Sequence, residues 1–156
     1  MKKTILISCF LAFGCSLYAQ QEISWKQLAK VEWTKGYVTE LDDYFDLPRF
    51  SSEITALNGK QVIITGFSIP LEIEGKTFAL SAQPSNMCFF CNGAGPESVM
   101  EVIVAKEDKS FDKVRTDWFL KIKGTLKLNR RDPDHLMYIL ENAALLEVNK
   151  RGPGSG

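Results

Sequence analysis

Five segments rich in Val, Ile, Leu and aromatic residues follow one another along the chain, each bounded by turn residues. They predict strands rather than helices, because the runs are short and rich in residues that favour a pleated sheet. Two of them contain a central glycine, Gly66 and Gly124, which indicates a bulge or a sharp bend within a strand. The five segments are residues 62–71, 76–82, 98–106, 118–128 and 136–148. Together they predict a mainly β fold, a small five-stranded OB-like barrel.

The residues between these segments indicate how the strands are connected. Glu74 and Gly75 predict a tight turn between the first two strands, and Pro70 predicts a strand end or an edge position. The end of the last segment, around Ala143 to Leu146, suits a helix as well as a strand. No strand alternates with a helix of the length that a βαβ unit needs, so a doubly wound parallel sheet is disfavoured.

Residues 20–58 are predicted to form an N-terminal extension that packs on the barrel. Ser24 is a suitable N-cap for a short helix, and Pro48 prevents a helix further along. We therefore expect a short helix, an extended segment and a loop before the barrel domain, which is predicted at residues 59–149. Residues 150–156 are rich in glycine and are predicted to be a disordered tail.

Residues 1–19 have the pattern of a secretory signal peptide. Lys2 and Lys3 form a short basic start, and the uncharged apolar run after them is too short to span a bilayer of about 30 Å as a helix. Cleavage is predicted after Ala19. A competing interpretation is lipid attachment at Cys15, because the residues before it partly resemble a lipobox. Either route predicts a periplasmic or secreted protein.

Cleavage leaves a mature chain with a small negative charge. Removal of the two leader lysines turns the balance of 19 basic and 19 acidic side chains into a net charge of −2. Broad nucleic-acid binding needs an excess of Lys and Arg to neutralise phosphates, so no nucleic-acid partner is expected. No apolar run of transmembrane length remains, so no membrane span is expected in the mature chain.

One loop-like segment of the mature chain carries residues suited to site chemistry. Cys88 and Cys91 form a C-x-x-C motif and are the two cysteines that remain after cleavage. This spacing lets two thiolates converge on one metal ion. It also suits a redox dithiol or a structural disulfide in an oxidising compartment. A c-type haem is excluded, because Asn92 stands where the haem-binding histidine would follow.

A metal ion held by two thiolates needs further donors. Glu97, near the end of the same segment, is the predicted third ligand, and zinc or copper is the predicted metal. Met87 would suit Cu(I). The chain has one histidine, His135, which excludes any multi-histidine site. His135 lies in a polar turn and is predicted to be a surface residue, and no catalytic residue or organic cofactor is indicated.

The string CFFCNGAGPES, from Cys88 to Ser98, resembles a hallmark of an uncharacterised secreted family of Bacteroidetes. The other similar positions are Trp25 and Leu28, the run from Leu57 to Leu71, Leu80 and Ser81, the run from Gly124 to Asn129, and Tyr138 to Leu140. More distantly, the run from Gly59 to Leu71 is similar to the core of a group of proteobacterial exported proteins of unknown function. That group has a Cys-x-His segment in the corresponding loop, where this chain has Cys91 and no histidine. Neither resemblance implies an established activity.

The leading hypothesis is a non-enzymatic binding protein of the cell envelope whose C-x-x-C loop holds zinc or copper through Cys88, Cys91 and Glu97. Two alternatives remain open. In the first, the two cysteines cycle between dithiol and disulfide in an envelope thiol–disulfide protein. In the second, their disulfide staples a barrel that binds a protein or a glycan. An envelope protein partner is compatible with all three hypotheses.

Overall fold

The computed structural model describes residues 20–70, 77–85, 87, 94–106, 108–150 and 152. The predicted signal peptide, the predicted turn at Glu74 and Gly75 and nearly all of the predicted tail lie outside these described residues. Cys88 and Cys91 also lie outside them.

The described chain contains ten regular elements and two short 3₁₀ helices. They are β1 (Gln21–Glu22), α1 (Trp25–Leu28), β2 (Val31–Val38), β3 (Asp43–Phe50), α2 (Ser52–Thr55), β4 (Gln61–Pro70), β5 (Thr77–Ser81), β6 (Val99–Val104), β7 (Phe119–Leu128) and β8 (Tyr138–Asn149), with 3₁₀ helices at Pro96–Ser98 and Ser110–Lys113. No helix among these described residues is long and apolar enough to cross a membrane.

The predicted five-stranded barrel is confirmed. The strands β4, β5, β6, β8 and β7 pair in that order, and β4 also pairs with β7, which closes the sheet on itself. Among these five barrel strands, all pairs are antiparallel except β6 with β8, which is parallel. This order places the last barrel strand between the third and the fourth, the five-stranded Greek-key arrangement of an OB fold.

Two glycines allow the barrel strands to approach closely. The sequence predicted a bulge or a bend at these positions. A Cβ on Gly66 would lie 2.7 Å from the carbonyl oxygen of Ser81, and a Cβ on Gly124 would lie 2.6 Å from Cγ of Leu140. The register between β7 and β8 shifts at Gly124, between Lys123 and Thr125. The sharp curvature of the barrel therefore depends on the absence of side chains at these two positions.

The barrel interior is filled by side chains that alternate along the strands. On β7, Leu120, Ile122 and Leu126 are fully buried, while Lys121 and Lys123 between them are partly exposed. This period of two is the expected pattern for a strand with one buried face. The last segment, which suited either a helix or a strand, forms the single strand β8, because its backbone is paired with both β6 and β7.

The N-terminal extension is attached to the barrel by a helix and a strand. As predicted, a short helix follows Ser24, whose side chain accepts a hydrogen bond from the Gln27 amide. The Trp25 indole donates to the carbonyl of Thr65 on β4 at 2.8 Å. The Tyr138 hydroxyl donates to the carbonyl of Leu28 at 2.7 Å. Together with the parallel pairing of β1 with β4, these contacts fix the helix against the barrel.

The next part of the extension differs from the expected extended segment and loop. Strands β2 and β3 pair over their full length and form a two-stranded sheet of their own, from Val31 paired with Phe50 to Val38 paired with Asp43. We call residues 31–50 the hairpin. The sequence did not reveal it because most of its aromatic residues are exposed to solvent and so do not mark a buried face.

Candidate functional site

The structure describes one of the three predicted metal ligands. Glu97 lies in the 3₁₀ helix just before β6, and its side chain is partly exposed. Its Oε1 accepts a hydrogen bond from the Gly95 amide at 3.2 Å. Cys88 and Cys91 fall outside the described residues, so their role as ligands stays a prediction.

Both ends of the segment that carries the cysteines are joined to each other at the barrel. We call residues 82–98, which connect β5 to β6, the cysteine segment. The Ala82 amide donates to the Ser98 carbonyl at 2.9 Å, which continues the pairing of β5 with β6 beyond the strands. The Ser98 side chain donates to the Gly95 carbonyl at 2.7 Å. The first and last residues of the cysteine segment are therefore hydrogen-bonded to each other, directly after β5 and before β6.

A second anchor joins the cysteine segment to the residues before β7. The Ser85 amide donates to Oδ1 of Asp117 at 2.6 Å, and the Ser85 hydroxyl donates to Oδ2 at 2.7 Å. Asp117 in turn donates its amide to the Ser68 carbonyl on β4 at 2.8 Å. Hydrogen bonds to a charged acceptor are stronger than those between neutral groups, so this carboxylate is an effective anchor.

A cavity of about 290 Å³ lies where the two ends of the cysteine segment meet α1. Trp25 and Lys26 line it from the helix, and Gln83, Glu97 and Ser98 line it from the segment. Gln83 is partly exposed at this cavity, but its side-chain oxygen is buried and has no hydrogen-bond partner in the described part of the chain. A buried oxygen without a partner is costly.

The one histidine of the chain belongs to a separate polar pair. Nδ1 of His135, in the loop between β7 and β8, lies 3.0 and 2.9 Å from the two carboxylate oxygens of Glu101 on β6. Glu101 is buried, and its Oε2 also accepts the Leu136 amide at 3.3 Å. The hydrogen bond that the His135 ring donates to the Glu101 carboxylate raises the pKa of His135 above its usual value, against a smaller lowering by burial.

The His135–Glu101 pair was not predicted, because the two residues are 34 positions apart in the chain. The sequence indicated a surface histidine, and the ring is half-exposed as expected. What the sequence could not show is the buried carboxylate beneath it. Nothing in the spacing of the two residues signals that the loop after β7 folds over β6.

His135 also lines a second cavity, of about 180 Å³, between the hairpin and the loop after β7. Its lining is largely apolar, with Leu47 and Met137 among the buried residues. Nε of Arg130 donates to the Pro48 carbonyl at 3.1 Å and ties the loop to β3. Across the described ranges, no three His, Cys, Asp or Glu side chains come close enough together to hold a metal ion.

The fold and these contacts define a small closed β-barrel protein with an anchored two-cysteine segment. No protein-family profile matches the chain, and no curated protein matches it. A solved structure of a DUF3299 family protein from Pseudomonas aeruginosa is similar, at 17% identity and a TM-score of 0.47. The match covers 83% of this chain and 97% of that chain.

That neighbour comes from a proteobacterium and belongs to a family named for a domain of unknown function. The resemblance of the sequence to the proteobacterial group stays a prediction. The resemblance to a Bacteroidetes family stays a prediction. No activity, ligand or location follows from so distant a likeness.

Proposed function

We propose that this protein is an exported binding protein of the cell envelope whose cysteine segment holds a zinc or copper ion through Cys88 and Cys91. Glu97 is the third ligand of this proposal. The observation that carries it is the double anchoring of the segment, by Ala82 on Ser98 and by Ser85 on Asp117. Both thiols lie within a stretch whose ends are already fixed to the barrel.

Fixed ends favour metal binding for an entropic reason. Bringing ligands together from a flexible chain costs conformational entropy, and that cost is smaller when the ends of the chain are already held close.

The two candidate metals would use different additional donors. Zinc accepts carboxylate oxygen beside thiolate sulfur, so it would bind Glu97. Cu(I) prefers sulfur, so it would favour the thioether of Met87, whose side chain is exposed. In either case the metal supplies a binding position for a further ligand or for transfer to a partner, and the protein supplies the thiolates that retain it.

The experiment is elemental analysis of the mature protein, purified in reduced form and loaded separately with zinc and with Cu(I). One equivalent of metal is expected in the wild type, and none in the Cys88→Ser/Cys91→Ser double variant. Glu97→Gln should weaken zinc retention more than copper retention, and Met87→Leu should do the reverse. Glu40→Gln removes an exposed carboxylate on the hairpin and serves as the matched control.

Two results would overturn the proposal. The first is a wild-type protein that binds no metal, and the second is equal metal content in the wild type and the double cysteine variant. A metal-free protein whose two cysteines form a disulfide that is readily reduced would support the thiol–disulfide alternative instead. A disulfide with a potential far below about −300 mV would identify a structural staple.

A further inference from the structure

The exposed apolar surface of the described residues is concentrated on the hairpin. Eight large hydrophobic side chains are exposed in the described part of the chain, and five of them belong to residues 31–50. These five are Trp33, Tyr37, Leu41, Tyr44 and Phe45. The hairpin forms its own two-stranded sheet, so these exposed side chains do not belong to the strands of the barrel. Such a concentration of exposed apolar side chains makes the hairpin a candidate interaction surface.

The register of the hairpin sorts these residues by face. Trp33 lies opposite Pro48, and Tyr37 lies opposite Tyr44. The pair of Lys35 and Asp46 lies between these two pairs, two positions from each. Directly paired residues share a face of an antiparallel sheet, and positions two apart along a strand share it as well. Trp33, Tyr37 and Tyr44 therefore lie on one side, which we call the aromatic face. Phe45, opposite Gly36, lies on the other side.

The aromatic face is held in position before any partner arrives. Trp33, Tyr37 and Tyr44 are 41%, 42% and 66% exposed. The rings of Tyr37 and Tyr44 meet edge to face with centroids 5.3 Å apart. The Tyr37 hydroxyl donates to Asp42 in the turn of the hairpin. Rigid aromatic side chains lose little entropy on binding, so this arrangement favours recognition of a partner.

The charges on the hairpin restrict what that partner can be. Lys35 and Asp46 form an ion pair at 3.1 Å in the middle of the aromatic face, so the face has no net charge there. The turn beside it carries the exposed carboxylates of Glu40, Asp42 and Asp43. These carboxylates repel anionic lipid surfaces and nucleic acids. The partner that fits is therefore not anionic. An uncharged partner with apolar faces for the rings and hydroxyl groups for the ion pair matches the neutral centre of the aromatic face.

Sugar rings have this combination of an apolar C–H face and polar edges. Trp33 and Tyr37 are four residues apart on one strand, which is about 13 Å at roughly 3.3 Å per residue. That distance exceeds one sugar ring, so both aromatic positions are reached only by a chain of several sugars. An extended sugar chain can follow an extended strand over this distance, whereas a coiled chain cannot.

We propose that the aromatic face of the hairpin binds an uncharged β-1,4-linked glycan chain. Trp33 and Tyr44 supply stacking surfaces, and the side chains of Lys35 and Asp46 exchange hydrogen bonds with hydroxyl groups. This proposal uses no residue of the cysteine segment, so a test of glycan binding is independent of the test of metal binding.

The test is a titration of the full mature protein with sugar oligomers, in which binding is detected by tryptophan fluorescence and by NMR. Cellohexaose and chitohexaose are the probes, and maltohexaose, which has a coiled chain, is the control. We expect at least one probe to bind at least tenfold more tightly than its own disaccharide, with no binding of maltohexaose. Tyr44→Ala should weaken that binding at least fivefold.

Phe45→Ala is the matched control variant, because Phe45 is an exposed aromatic residue of the same hairpin on the opposite face. It should leave the affinity unchanged. Trp33→Ala is a second variant, and thermal unfolding of both aromatic-face variants checks that they fold. The proposal is overturned if neither hexamer binds, or if Phe45→Ala weakens binding as much as Tyr44→Ala. It is also overturned if the aromatic face instead drives association of two copies in sedimentation experiments.

Discussion

At the scale of single residues, the most informative pair is His135 with Glu101. The carboxylate is buried and the imidazole half-exposed, so the ring covers a charge that would otherwise be poorly solvated. Removal of one partner of such a pair leaves an uncompensated group, which is more costly than the pair itself is stabilising. We expect this contact to control how the loop between β7 and β8 sits on the barrel.

The first prediction concerns the pH dependence of this pair. Because Glu101 raises the pKa of His135 in the folded protein, the pair stabilises the fold fully below the unfolded pKa of about 6.5. This stabilisation is lost as the pH rises through the folded pKa. Urea unfolding should therefore show a larger deficit for His135→Gln at pH 5.5 than at pH 9.

Since the chain has one histidine, its NMR signals report the titration without assignment. The wild-type pKa should lie above about 6.5, and Glu101→Gln should lower it toward that value. A wild-type pKa at or below 6.5 would contradict the geometry of the pair.

The second prediction concerns Tyr138, which is fully buried and donates its hydroxyl to the carbonyl of Leu28. Burial raises the pKa of this hydroxyl, which therefore stays protonated and remains a donor. Tyr138→Phe leaves the buried carbonyl without its partner and should cost about 1–2 kcal/mol of unfolding free energy.

Denaturant unfolding of Tyr138→Phe and Tyr44→Phe tests this directly. Tyr44 is largely exposed, so removal of its hydroxyl should change the unfolding free energy by less than about 0.5 kcal/mol. Equal costs for both variants would mean that the bond to Leu28 does not hold α1 on the barrel.

At the scale of elements, the strands of the barrel depend on close approach at two glycines. Gly66 on β4 faces the backbone of β5, where a Cβ would lie 2.7 Å from the Ser81 carbonyl oxygen and 2.8 Å from Cγ of Leu80. Backbone atoms cannot move aside as a flexible side chain can. A methyl group at this position must therefore separate β4 from β5 or distort both strands.

The third prediction follows from this contact. Gly66→Ala should destabilise the fold by about 2–3 kcal/mol, because overpacking against backbone forces the strands apart. Gly59→Ala is the control, since a Cβ there meets nothing within 4 Å and the cost comes only from its positive φ of 73°. That cost is about 1 kcal/mol. A smaller loss for Gly66→Ala than for Gly59→Ala would contradict the packing of β4 on β5.

At the scale of the whole molecule, the sequence predicted the barrel well and the hairpin poorly. Barrel strands such as β7 alternate buried and exposed residues, and that local pattern is visible without tertiary structure. The hairpin exposes Trp33 and Tyr44, so its apolar residues do not mark a buried face. The alternation of buried and exposed residues that identifies a strand is therefore absent in the hairpin, which exposes large apolar side chains to solvent.

The candidate site was only partly predictable for a related reason. The C-x-x-C spacing of Cys88 and Cys91 is visible in the sequence, and it predicts a site in the cysteine segment. The anchor between Ser85 and Asp117 joins residues 32 positions apart, and the pair of His135 with Glu101 is similarly distant. Contacts of this kind are created by the barrel topology, and single-sequence patterns carry no signal for them.

The proposed binding of one metal ion by Cys88 and Cys91 can be checked by counting the sulfur atoms around that ion. X-ray absorption at the zinc edge, on the reduced protein loaded with one equivalent of zinc, gives this count. We expect two sulfur atoms at about 2.3 Å, with lighter donors completing the shell. A zinc shell without sulfur in the wild-type protein would contradict it.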